Sequence, residues 1–223
     1  MLKKLGIKKV PAVSQGDKFV MGQKLADVCA FVGIELGQVT EFTIDELAAK
    51  MDIILSAAQR YMRQMTDDDL EQKLPNRDRK VRQLCYHVHR IVEGFCEVME
   101  GVEKEFHLKL NALEHPLEML TGEDLAAFGE NVLKRFQTWH AAYDGDGREA
   151  AMTYWGEITL RELVERVTWH PGQHTRQLKV YMQGRGNAPR EPIDDSVFAG
   201  LPMPKKVWDD EKLDEDNSVM AAE

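Results

Sequence analysis

No stretch of this 223-residue chain approaches the roughly 18–20 consecutive apolar residues that a membrane-spanning helix needs. The opening MLKKLGIKKVPAVSQGDK is basic but has no apolar h-region, so it does not read as a secretory signal. Positive charge is in deficit: 29 Lys and Arg against 38 Asp and Glu give a net charge of −9. That balance argues against a nucleic-acid backbone as partner. Cysteine is scarce, at three residues, and no C-x-x-C occurs. Cys85 and Cys96 fall on one expected helix, about 16 Å apart at ~1.5 Å per residue, too far to bridge. An odd, unpaired cysteine set points to a reducing, cytoplasmic compartment. Internal repeats and low-complexity tracts are also lacking.

What is present is helical periodicity. Hydrophobic content of 43% with 30% charged residues describes a globular chain long enough to bury a substantial core. Thr43-Ile-Asp-Glu46 is a capping box, followed by Ile44, Leu47, Met51, Ile54, Ala58, Met62 and Met65 at helical spacing. Thr66-Asp-Asp-Asp opens a short turn. A second long helix is expected from near Asp78, with the stripe Val81, Leu84, Val88, Ile91, Phe95, Val98. Residues 103–121 read as an irregular connection holding His107 and His115, both taken as surface residues. A third helix follows Thr121, with Leu125, Phe128, Val132, Phe136, Trp139 and Tyr143 on one face, and Asp-Gly-Asp-Gly ends it. The capping box Thr159-Leu-Arg-Glu162 opens a fourth. Four amphipathic helices of this length make a bundle. Beyond Gly184 the prolines and acids predict an extended, surface-draped tail.

Projected at 100° per residue, the fourth helix carries a core stripe of Leu160, Leu163, Val164 and Val167. The next stripe positions are His170, Pro171 and His174, before Leu178 and Tyr181 resume it. Histidine needs partners when buried, and an i, i+4 pair on one face can hold one metal ion. Pro171 predicts a kink, or a new helix beginning there. A further ligand must come from another helix. The second offers His87 and His89, which flank its stripe centre on opposite sides, so periodicity leaves both open. His140 beside Phe136 reads as boundary packing. Gln173, Arg176 and Gln177 lie near the pair in sequence, and Arg176 is placed to clamp a carboxylate, with Gln173 beside it.

Two segments, RDRKVRQLCYHVHRIVEGF (77–95) and LVERVTWHPGQHTRQL (163–178), resemble the DinB/YfiT-like superfamily, over roughly residues 40–183. The resemblance implies a mainly α, DinB-like four-helix bundle. It also implies a divalent-metal site made of a second-helix histidine and the H-x-x-x-H pair, carried over as His87, His170 and His174. Zinc suits three histidines, as do nickel and iron. An S-transferase or related isomerase acting with a small thiol and an electrophile is implied, against the alternative of a non-catalytic metal-binding or redox-interaction protein.

The first residues resemble the C-terminal half of a glutaredoxin or thioredoxin fold. LGIKKVPAV is similar to the strand entering that fold's cis-proline, here Pro11, and GDKFVMGQKLADV to the hairpin and start of the last helix. The half with the C-x-x-C is not in this sequence, and Cys29 does not replace it. The resemblance makes Val10 and Pro11 a backbone edge for a glutathione-like thiol. An unpaired sheet edge would also suit a homodimer. The expected division is 1–36 for this piece, 37–190 for the bundle and 191–223 for an acidic tail.

Overall fold

The computed structural model describes residues 12–22, 25–34, 41–75, 78–111 and 114–208. Val10, Pro11 and the acidic run beyond residue 208 lie outside them. The chain divides into two compact units, Met1–Glu41 and Phe42–Glu223, so the first break falls a few residues beyond the expected one.

In the first unit β1 (Ala12–Gln15) pairs antiparallel with β2 (Lys18–Met21) across a tight turn at Gly16, whose φ of 62° suits glycine. Helix α1 (Leu25–Val32) packs against β2. It ends where expected: Gly33 takes φ 71°, and the Ile34 amide closes back on the Cys29 carbonyl at 2.9 Å.

The second unit is mainly helical. Helix α2 (Ile44–Gln64) starts at the Thr43–Glu46 capping box, in which the Thr43 amide donates to Glu46 at 2.8 Å. Then come α3 (Asp67–Glu71), α4 (Val81–Met99), a 3-10 turn (Leu108–Asn111), α5 (Gly122–Ala142), the hairpin β3 (Ala150–Thr153) with β4 (Gly156–Thr159), α6 (Leu160–Gly184), and a second 3-10 turn (Asp195–Phe198). Helices α2 and α4 each pack against both α5 and α6. The stripes read from periodicity fill the core. Leu47, Met51, Ile54, Ala58 and Met62 of α2 meet Val81, Leu84, Val88, Ile91 and Phe95 of α4, with Leu125, Val132 and Phe136 of α5 and Leu163, Val164 and Val167 of α6.

Two segments depart from expectation. Residues 150–159 form a hairpin just ahead of α6, with Tyr154 and Trp155 at its turn and Gly156 at φ 128°. The tail is not merely draped. Ile193, Phe198 and Leu201 enter the core, so the expected boundary at residue 191 does not separate this segment from the bundle. Apolar residues spaced among prolines and acids were enough to pull it down. The Ile193 amide donates to the Tyr61 hydroxyl at 2.7 Å, and Lys50 donates to the Val197 and Ala199 carbonyls at 2.7 and 3.2 Å.

Asp69 shows how the ends are locked. Burial alone would push its carboxyl up. Bonds from the Thr66 amide and hydroxyl (3.0 and 2.9 Å), Asn187 and Arg185 outweigh burial and hold it below the usual carboxylate range. A carboxyl lowered on folding stabilises above its unfolded pKa of about 4, and that contribution is lost as pH falls through the folded value. Asp69→Asn is expected to cost about 1 kcal/mol near neutral pH. The difference from wild type should close in acid when both are unfolded with urea across a pH series.

Candidate metal centre

Helix α6 runs unbroken from Leu160 to Gly184 through Pro171, so no new helix starts there. Proline has no amide to donate, so the Val167 carbonyl loses its usual helical partner. Gly172 has a packing reason: a Cβ there would meet Ile54, Met203 and Phe198 at 3.3–3.4 Å. The Pro-Gly pair is therefore helix interior, and its glycine admits α2 and the returning tail close to the helix.

Continuity keeps His170 and His174 one turn apart on one face, and α4 brings His87 opposite them. The ring centroids are 5.4 Å apart for His87 and His170, 5.0 Å for His87 and His174, and 4.7 Å for His170 and His174. One nitrogen from each ring lies within 4.8 Å of the others. Zinc–nitrogen bonds of about 2.0–2.1 Å in a tetrahedron put donors ~3.4 Å apart, so modest ring rotation completes the fit.

The hydrogen-bonding of His174 and the burial of His170 suit ligation. His174 Nδ1 lies 2.8 Å from Gln177 Oε1, and Gln177 Nε2 donates to the Val207 carbonyl at 2.8 Å. A carbonyl only accepts, so it orients the Gln177 amide; Oε1 then accepts from His174 Nδ1–H, and the lone pair sits on Nε2. His170 stacks on Trp169 at 5.4 Å and 14°. Its Nδ1 is shielded from solvent and has no hydrogen-bond partner among the described residues. Burial, reinforced by His174, His87, Arg166 and Arg79, holds the His170 pKa well below its ordinary value. A neutral imidazole with a shielded, unpartnered nitrogen is the form that binds a metal ion. The donor set therefore fits a divalent ion.

The two histidines that periodicity left open face different neighbours. His87 joins the pair from α6. His89 is fully buried toward α5, where a Cβ on Gly129 would lie 2.4 Å from its Nε2, and burial pushes its pKa down to about 4. His140 bonds Asp45 at 2.8 Å and stacks on Phe136, a boundary role. His107 pairs with Glu103 at 3.1 Å.

Arg176 and Gln173, the expected substrate clamp, face the returning tail. Arg176 donates to Gln173 Oε1 at 2.6 Å and to the Pro204 and Lys206 carbonyls at 2.6 and 3.1 Å. Gln173 donates to the Lys206 and Val207 carbonyls at 3.3 and 3.1 Å. Both side chains hold the returning tail, which an arginine and a glutamine with several donors can do where the backbone offers only acceptors. Arg166, which reading along the chain passed over, sits one turn before His170. Cys85 and Cys96 are buried, and burial pushes both thiols up to about 12, so neither is a nucleophile at neutral pH. Among the described residues, no helix is long and apolar enough to cross a membrane. No family model matches the chain, and the searches of curated proteins and solved structures give no match either.

Proposed function

We propose that this chain is a DinB-like protein that holds one divalent ion, zinc in first place, on His87, His170 and His174 and acts with a small thiol in S-transfer or a related isomerisation. The observation that carries the reading is the convergence of three imidazole nitrogens from two helices, within 4.8 Å of one another. A bound divalent ion supplies Lewis acidity, lowering the pKa of a thiol or water beside it. The protein's own residues do the positioning. Gly172 lets α6 lie close to its neighbours, Gln177 fixes the His174 tautomer, and Trp169 orients His170. Among the described residues three imidazoles converge, and a site with three protein ligands is the arrangement in which an incoming group takes a further position. Thiol chemistry and glutathione in particular come from the two resemblances; Val10 and Pro11, the expected thiol edge, lie outside the described residues.

The test is metal content by elemental mass spectrometry on wild type and His170→Ala. About one divalent ion per chain, lost in the variant, is expected. A wild-type protein that carries none and takes up none on titration with zinc, nickel or iron would overturn the reading.

A further inference from the structure

Arg166, His170 and His174 stand at i, i+4 and i+8 of α6, on one face of the helix. The guanidinium carbon of Arg166 lies 4.5 Å from the Trp155 ring centroid and 5.7 Å from that of Trp169. Trp169 in turn stacks with His170 at 5.4 Å. A ladder of planar groups thus runs from the imidazole cluster to a guanidinium. Its far side belongs to the β3–β4 turn, which is anchored: the Phe106 amide donates to the Met152 carbonyl at 2.8 Å, and the Tyr154 amide to the Phe106 carbonyl at 3.0 Å.

Among the described residues nothing neutralises this guanidinium. Arg63, Arg82, Arg90, Arg135 and Arg161 each hold a carboxylate at 2.7–3.0 Å. Arg166 sits in a chain with an excess of acids, yet among the described residues no carboxylate pairs with it. Burial lowers its pKa, and the group opposing that effect is the Tyr154 hydroxyl. A cation half withdrawn from water without a counter-ion is costly unless an anion arrives. The planar guanidinium fork, flanked by aromatic faces, is the donor set that takes an oxyanion through paired hydrogen bonds.

We propose that Arg166, between Trp155 and Trp169, is a binding subsite for an oxyanion, carboxylate or phosphate, on the small molecule received at the His87–His170–His174 group. This deepens the metal-site reading and rests on it for the identity of the neighbouring group. The subsite selects anionic over neutral molecules and holds the anion one helical turn from His170. Arg166 is a binding residue for that anion, while Trp155, Trp169 and Tyr154 position it.

The test uses the full chain loaded with cobalt(II), whose visible spectrum reports thiol binding directly. Mercaptoacetate is compared with its neutral isostere mercaptoacetamide, and 2-mercaptoethylphosphonate distinguishes a phosphate-type ligand from a carboxylate. Wild type is expected to bind the better anionic thiol roughly ten- to hundred-fold more tightly than the amide. Arg166→Met should bring the ratio near one while cobalt content and amide affinity stay unchanged. Arg166→Lys, which keeps charge and stem, should fall between and serves if the methionine variant misfolds. Equal binding of anionic and neutral thiols by wild type, or a preference that survives in both variants, overturns the subsite. If cobalt is not taken up, tryptophan fluorescence of the metal-free chain is titrated with succinate and with inorganic phosphate. A saturable response lost in the Arg166 variants keeps the subsite and removes only the metal reading; no response removes the subsite.

Discussion

His87→Ala is expected to abolish stoichiometric metal binding while leaving a folded bundle, whereas His89→Ala should do the reverse. The two residues are one apart from adjacency on α4, so the contrast depends on helical phase alone. His87 contributes a nitrogen to the three-imidazole group. Its loss should exceed the roughly 10–100-fold fall in affinity that removal of an outer-shell partner brings. His89 is fully buried against α5 and lies near Phe128 at 6.3 Å between ring centroids. Truncating it empties a filled site and is expected to cost about 2–4 kcal/mol, in the range of other large-to-small core changes. Zinc titration and urea unfolding on both variants check this. Metal loss in a well-folded His89→Ala protein would sink the assignment of ligands.

Gly122→Ala is expected to destabilise strongly although alanine is the better helix former. Gly122 opens α5 where α2 ends, and a Cβ there would lie 2.0 Å from the Met62 carbonyl oxygen and 2.9 Å from its carbon. Both atoms are backbone, so no side chain can swing away. The first turn of α5 must lift from α2, taking with it the 2.9 Å Arg63–Glu123 ion pair. Overpacking of this kind costs about 3 kcal/mol, roughly 6–12 °C in Tm for a chain of this size. Gly184→Ala is the control: it lies at the end of α6 with nothing within 4 Å, and alanine there should be neutral or mildly stabilising. Thermal unfolding of the two variants side by side separates close approach from helix propensity.

Much of this was legible in the residues because helical periodicity and capping boxes are local signals. The stripes of α2, α4 and α6, the boxes at Thr43 and Thr159, and the shared face of His170 and His174 need no knowledge of the partner helix. Choosing between His87 and His89 from the stripe does need it, because each sits beside the stripe and the neighbouring helix decides; Gly129, making room for a ring, belongs to α5. The two arginines of α6 are instructive. Arg176 is near the histidines in sequence but about 200° around the helix from His174, and it turns to the tail. Arg166 is farther along the chain but in phase with His170, so the periodicity that aligned the histidines also selects it. The β3–β4 hairpin is too short for its alternation to stand out. The tail's burial rests on three apolar residues scattered among acids and prolines, a pattern whose meaning depends on the groove between helices that receives them.

The returning tail also has a consequence for the order in which the molecule is finished. It joins α2, through Lys50, Tyr61 and Gln64, to α6, through Gln173, Arg176 and Gln177. A ribosome makes α2, α4 and α5 first, and their core faces can begin to pack while synthesis continues. The Val207 carbonyl that sets the Gln177 amide, and through it the His174 tautomer, is made after all the long helices. The imidazole group therefore reaches its final form only after the segment through Val207 has left the ribosome, and truncation ahead of it would leave a bundle with its core largely made and the His174 ring without its orienting amide.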